Sequence, residues 1–478
     1  MAVSQTADIR ALLGGGADED RLSALHFLAG AAFLVLGGVL ALFSLLSLRF
    51  PEQSPIPYGQ IEMMAMNSLM VGFGVLTFTG GIYYVLPRLT GTRLYRVGLA
   101  RIGLLGTVGL SALGILSVPL GFGDGSEPLG ISWWLDIPLT IVLAIPAVVV
   151  LSTVANRVEQ RSYVTIWFII GGVVWLPLLY AATTLATLPP MSALAAELGG
   201  LFFSAGFVTM WLLAVGSGLL YYSLVKELDV PLASRQLALV GFWSLGFAAA
   251  WWGSSQVIFG PGPDWLDGIA AALGLALPVG ALANASNYSL TLDRSWGSLR
   301  DQPGMSSGII GAYLAVVVGV LASLAAFPSV GSVVALTSYW EGIEYAALLG
   351  IGPLLAAGIV FPALPRITGR AVPTGPTLAR FNRMTVIGVG GVLLSLVTAG
   401  IYRGYAWIGG SNAAAYVDTG EGWAQGGGVV DALVLVAVLF GVISLLGQLA
   451  YAGVVFGTVT TGEVVPQEVL LDRAAGDE

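Results

Sequence analysis

The chain has no cysteine, one histidine (His26) and one lysine (Lys226) in 478 residues, and only 10% of its residues are charged. Without cysteine there are no disulfides, no thiolate-held iron–sulfur clusters, no haem thiolates and no thiolate copper sites. A single imidazole excludes any centre that draws two histidines from one chain. Soluble domains carry about 25% charged residues, so the scarcity of charge excludes a soluble enzyme and a disordered chain alike. The net charge of −8 and pI of about 4.8 exclude nucleic acid as a natural partner.

What is present is apolar: 56% hydrophobic residues and a mean hydropathy of +0.87. A spanning helix needs roughly 20 apolar residues. Twelve stretches qualify, at about 23–48, 63–87, 98–120, 133–154, 163–187, 200–225, 236–259, 266–288, 307–328, 334–361, 382–402 and 429–457. The expected fold is all-α, a single twelve-helix membrane domain over 1–478, with 1–22 and 459–478 as short cytoplasmic tails. The polar first 22 residues and the long run after them do not read as a cleavable signal. No internal repeat is visible. Internal prolines such as Pro146, Pro177, Pro278 and Pro353 are tolerable where neighbouring helices satisfy the freed backbone.

Basic residues set the orientation. Alternate loops hold Arg88, Arg93, Arg96 and Arg101; Arg157 and Arg161; Lys226 and Arg235; Arg294 and Arg300; Arg366, Arg370, Arg380 and Arg383. The opposite loops hold Arg49 and Arg403 alone, beside acids and aromatics such as Asp124, Glu127, Trp133, Trp134, Asp264, Trp265, Asp418, Glu421 and Trp423. Both termini are therefore expected in the cytoplasm, with the chain in the cell membrane of a prokaryote.

Ionisable residues inside spans are the natural functional pointers. The tenth stretch holds Tyr339-Trp340-Glu341-Gly342-Ile343-Glu344-Tyr345. Glu341 and Glu344 are three apart and so share a helix face. They suit a proton or cation site, or a hydrated polar pocket without turnover. The seventh stretch adds Ser254, Ser255 and Gln256, the second Glu62 and Asn67, and the eighth Asn284 and Asn287. His26 and the Met63, Met64 and Met66 cluster read first as packing residues.

In this order, the helices resemble the large subunit (subunit I) of the haem–copper oxidase superfamily, closest to the cbb3-type cytochrome oxidase and nitric oxide reductase branch. The likeness rests on Gly218-Leu219-Leu220-Tyr221-Tyr222, Phe242-Trp243, Trp251-Trp252-Gly253 and Pro263-Asp264-Trp265. These are similar in order and spacing to the cbb3-type YY, FW, W-x-G-P-H-H and L-P-D-W. A second block, Asn67–Gly74 with Tyr83-Tyr84, is similar to the second helix of that family.

The resemblance implies two haems and a copper ion on six histidines: one on helix 2, one on helix 6, an adjacent pair on helix 7 and an H-x-H pair on helix 10. Ungapped matching places Ala65, Gly206, Ser255, Gln256, Ile343 and Tyr345 at those positions. No haem and no copper is therefore expected. Glu341, Glu344, Ser255, Gln256 and Tyr345 are expected to meet in a polar pocket where the metals would otherwise sit.

Three readings stay open at this stage. One is a haem-free structural or interaction subunit of a respiratory-type membrane complex. Another is a quinone-, lipid- or proton/ion-handling protein using the vacated cavity. The third is an active terminal oxidase or nitric oxide reductase subunit, which would need Met64 or Met66 and Tyr345 as haem ligands.

Overall fold

A computed structural model describes residues 18–464, except 249–250, 294, 301, 303, 374–375 and 411–426. Eleven helices in it are long and apolar enough to cross a membrane. These are α1 (Asp18–Arg49), α2 (Tyr58–Thr90), α3 (Val97–Phe122), α4 (Trp133–Ala155), α5 (Val164–Ala186), α6 (Ala193–Leu228), α8 (Asp264–Thr291), α9 (Met305–Ala325), α10 (Tyr339–Thr368), α11 (Pro376–Ile408) and α12 (Gly428–Thr461). In the seventh stretch, α7 is a pair of helices, Arg235–Phe247 and Trp251–Val257, bent by 47° as in a broken span or a re-entrant segment. Among the described residues there is no strand, only an isolated bridge between Arg370 and Val464.

The twelve apolar stretches thus become helices, with ends shifted by a few residues. The first and last helices absorb part of the expected tails, since α1 reaches back to Asp18 and α12 runs to Thr461. Asp418, Glu421, Trp423 and Arg294, read from the sequence as loop residues, lie outside the described residues. The tenth span starts at Tyr339 rather than 334, because Pro328–Val334 forms a short helix of its own. Leu336 breaks the run with a left-handed φ of 55°, and its N–H donates to the Gln256 carbonyl at 3.2 Å.

The apolar stretches of helices α2 and α10 lie inside the bundle, and that of α6 is mostly buried, whereas α12 is the least enclosed of the spans. Without water in the hydrocarbon layer, helices must satisfy their own backbone groups, and the inner ones are distinguished by what their side chains touch. Three of the central helices carry wide π-helical turns: Ser68–Val75 in α2, Phe207–Leu213 in α6 and Ala346–Ile351 in α10. Such turns insert one extra residue into an α-helix and gather at functional sites.

The two ends of the bundle differ. At the end rich in arginine, Arg88 pairs with Asp20 at 3.1 Å and Arg366 with Glu227 at 2.7 Å. There Asn287 donates to the Ser234 carbonyl at 2.7 Å, and Tyr221 donates to Asn284 at 2.9 Å. Those asparagines join helices, as interhelical polar residues in membranes do.

Candidate functional site

At the opposite end, helices α2, α6 and α10 begin and α7 terminates. Between them lies a cavity of about 230 Å³. Five glutamates line it: Glu62 from α2, Glu197 from α6, Glu341 and Glu344 from α10, and Glu127 from the loop between α3 and α4. Gln256, Trp340, Ser204 and Thr337 add to its polar wall, and Met63 and Met66 are among its apolar neighbours.

Four of the five carboxylates arrive for a local reason. Glu341 is the third residue of α10 and Glu344 follows at i+3, on the same face. Ser192 caps α6, its hydroxyl accepting from the Ala195 N–H at 3.2 Å, which starts the helix that carries Glu197. Glu127 reaches the site because α6 has a glycine beneath it. A Cβ on Gly200 would stand 2.0 Å from the Glu127 carbonyl oxygen, so only glycine lets the loop lie flat on the helix.

The hydrogen bonding is sparse. Tyr58 donates to Glu341 Oε1 at 3.2 Å, while Glu341 Oε2 has no partner. Gln256 carries its amide beside the Glu344 carboxyl. The Trp340 indole N–H is also unpartnered, in a side chain only 4% exposed that stacks on Trp252 at 6.1 Å. Glu127 is the exposed one of the five, the others being half-buried, which sets the mouth of the cavity at the loop. Burial of its cavity side, and then the charge of Glu197, hold the Glu127 carboxyl above the usual carboxylate range.

The structure brings together Glu341, Glu344 and Gln256, but not Ser255 or Tyr345. Ser255 turns back on its own helix, donating to the Trp252 carbonyl at 2.5 Å. Tyr345 points to the other side of α10, into a residual cavity of about 10 Å³ shared with Gly38, Leu45 and Gln448. Its hydroxyl sits near Ser44 without a hydrogen bond. Ile343 lines a second residual cavity of about 10 Å³, with Val208, Trp252 and Ala315. Ala65 is fully buried. A Cβ on Gly206 would stand 2.4 Å from a Leu179 methyl, so the space beside it is already filled.

His26 takes no part in the site. Its Nδ1 lies 2.8 Å from the Leu22 carbonyl, which can only accept, so Nδ1 carries the proton. The ring packs edge-on against Tyr83, with centroids 5.4 Å apart. That is the packed histidine expected from the sequence. The three carboxylates not assigned to the pocket from sequence, Glu62, Glu127 and Glu197, left only weak signals: single acids near the start of a run or in a loop.

The model of the family described as cytochrome c and quinol oxidase polypeptide I matches residues 21–443. The chain belongs to this family. It is a multi-pass membrane protein of the cytochrome oxidase subunit I type. It is 24% identical over 369 residues to the cbb3-type cytochrome c oxidase subunit CcoN1 of Stutzerimonas stutzeri, covering 73% of this chain and 76% of that one. It is 23% identical over 461 residues to a cytochrome c oxidase subunit 1 homolog of Azorhizobium caulinodans, covering 92% and 81%. A solved heme-copper terminal oxidase dimer has the same fold, with a TM-score of 0.78 at 14% identity, covering 94% of this chain and 85% of that chain.

Proposed function

We propose that this subunit I homologue is a haem-free structural or interaction subunit of a respiratory-type membrane complex, with both termini in the cytoplasm. The observation that carries the reading is the donor set at the six positions matched to the family histidines. Ala65, Gly206 and Ile343 offer no ligand atom, and the Ser255 hydroxyl is engaged by its own helix. Copper is served by imidazole or thiolate, and the only imidazole of the chain is held by Leu22. Space argues the same way. The cavities beside Tyr345 and Ile343, about 10 Å³ each, have room for about one water apiece, and Leu179 occupies the place a side chain at position 206 would need. These residues do not fit an iron porphyrin or a copper ion, and no redox step is assigned to them. An active oxidase or nitric oxide reductase would have to ligate haem through Met64 or Met66 and Tyr345, and Tyr345 faces a packed interface.

The test is a visible absorption spectrum with a haem assay on the purified protein, together with native electrophoresis of mild detergent extracts. The expected result is no Soret band and migration in a complex with other membrane subunits. A Soret band at one haem per chain or more overturns the reading. The carboxylate-lined cavity favours a second role within the same scaffold, the binding of an ion or small molecule there, with Glu341 and Glu344 as its polar contacts. A quinone or lipid is the less suited occupant, because five glutamates line the space.

A further inference from the structure

The five-glutamate cavity lacks a counter-charge of its own, since none of its lining residues is Arg, Lys or His. Arg403, exposed on α11, is a cation whose field reaches Glu341 from outside the lining. Carboxylates gathered in a partly buried space repel one another unless protons or a bound cation offset them. A chelated metal ion is a poor match. It needs several oxygens at about 2.0–2.6 Å from one point, and among the described residues no three acidic or histidine side chains are so placed. An ammonium ion is less demanding. It donates to separate carboxylates at about 2.7–2.9 Å from each, and so tolerates a wider ring.

A second observation narrows the ligand. The lining leaves polar atoms of both kinds unpartnered: Glu341 Oε2, which accepts, and the Trp340 indole N–H, which donates. Trp340 is almost fully withdrawn from bulk solvent. Buried polar groups are nearly always paired, and an orphaned one calls for a partner. A bare alkylammonium would satisfy only the carboxylate. A ligand that donates through nitrogen and accepts through oxygen satisfies both sets. Met63, Met66 and Val257 give its carbon atoms apolar contact.

We propose that this cavity binds a small hydroxylated organic ammonium ion of the amino-alcohol class. Its ammonium group lies between Glu341 and Glu344, and its hydroxyl oxygen accepts from Trp340. The assignment rests on the haem-free reading in one respect: no porphyrin may claim the space beside α10.

Calorimetric titration of the full-length protein in detergent at low ionic strength tests it, with 2-aminoethanol as the probe. Ethylamine and Mg²⁺ are titrated in parallel, and haem is assayed on the same preparation. The expected result is saturable binding of one 2-aminoethanol per chain, at least tenfold tighter than ethylamine. Both Trp340→Phe and Glu344→Gln should weaken it at least tenfold. If Glu344→Gln does not fold, Trp340→Phe carries the test, since it keeps the ring and its stack on Trp252. Equal affinity for ethylamine, binding of Mg²⁺ alone, no saturable binding, or unchanged affinity in Trp340→Phe would each overturn the proposal. A haem-free preparation that binds no amino alcohol overturns this inference alone, whereas a haem-loaded one overturns the reading beneath it.

Discussion

Tyr58 and Glu341, 283 residues apart in sequence, are joined by a 3.2 Å hydrogen bond between the first turns of α2 and α10. It ties the two most deeply buried helices of the bundle together at the rim of the carboxylate cavity. Removing one partner of such a bond leaves the other unsatisfied, at a cost of about 1–3 kcal/mol. Tyr58→Phe should therefore lower unfolding stability in detergent by about that amount. In the Glu341→Gln background the same change should cost less, because a neutral amide tolerates solitude better than a carboxylate. Equal losses in the two backgrounds would show that the bond does not couple the helices.

The contact at Gly206 predicts the cost of placing a histidine there. Gly206→His forces a ring into space held by Leu179, and overpacking of this kind costs about 1–3 kcal/mol. Leu179→Ala in the same chain should recover part of that loss. A thermal or denaturant melt of the single and double variants decides it. A single variant as stable as the parent would mean that the space beside α6 is not closed.

The state of Glu127 should leave a mark on the pH profile of stability. Its carboxyl is pushed up by burial and by Glu197. A carboxyl raised on folding contributes stability fully below its unfolded value, about pH 4.3, and loses it as pH rises through the raised native value. Stability should fall over that interval in the parent chain. The fall should be shallower in Glu127→Gln, and Glu197→Gln should move it to lower pH. Melting temperatures across the acidic range test this, and superimposable profiles for parent and Glu127→Gln would sink it.

Gly200 controls how tightly the loop covers the cavity. Its replacement by alanine places a carbon against the Glu127 carbonyl and should lift the loop away. Because the chain has no cysteine, a Leu201→Cys reporter in the cavity wall would be the only thiol. Its modification by a small polar reagent should be severalfold faster with Gly200→Ala than without. An unchanged rate would mean that the loop does not gate access.

The apolar helices were legible because hydrocarbon imposes one composition on every helix that crosses it. The i, i+3 pair of Glu341 and Glu344 was legible because helix geometry alone puts the two on one face. The rest of the cavity was not. Glu62, Glu127 and Glu197 come from three distant segments, and only tertiary packing, such as that of the loop over Gly200, brings them together. Tyr345 misled for a related reason. It is one residue from Glu344, and on a helix one residue is about 100° of rotation, enough to turn it toward α1 and α12. The start of α10 was hidden too, since Val333-Val334-Ala335-Leu336 is as apolar as the helix it precedes.

The wide turns at Ser68–Val75, Phe207–Leu213 and Ala346–Ile351 carry a consequence for how this chain tolerates change in length. Each holds one residue more than regular winding requires. Losing a residue there would tighten the coil and leave the azimuth of everything beyond it close to where an unbroken α-helix would put it. The same loss elsewhere in α2, α6 or α10 would swing the whole downstream half by about 100°. The three turns thus act as slack in the winding, one in each of the three helices that open onto the carboxylate cavity.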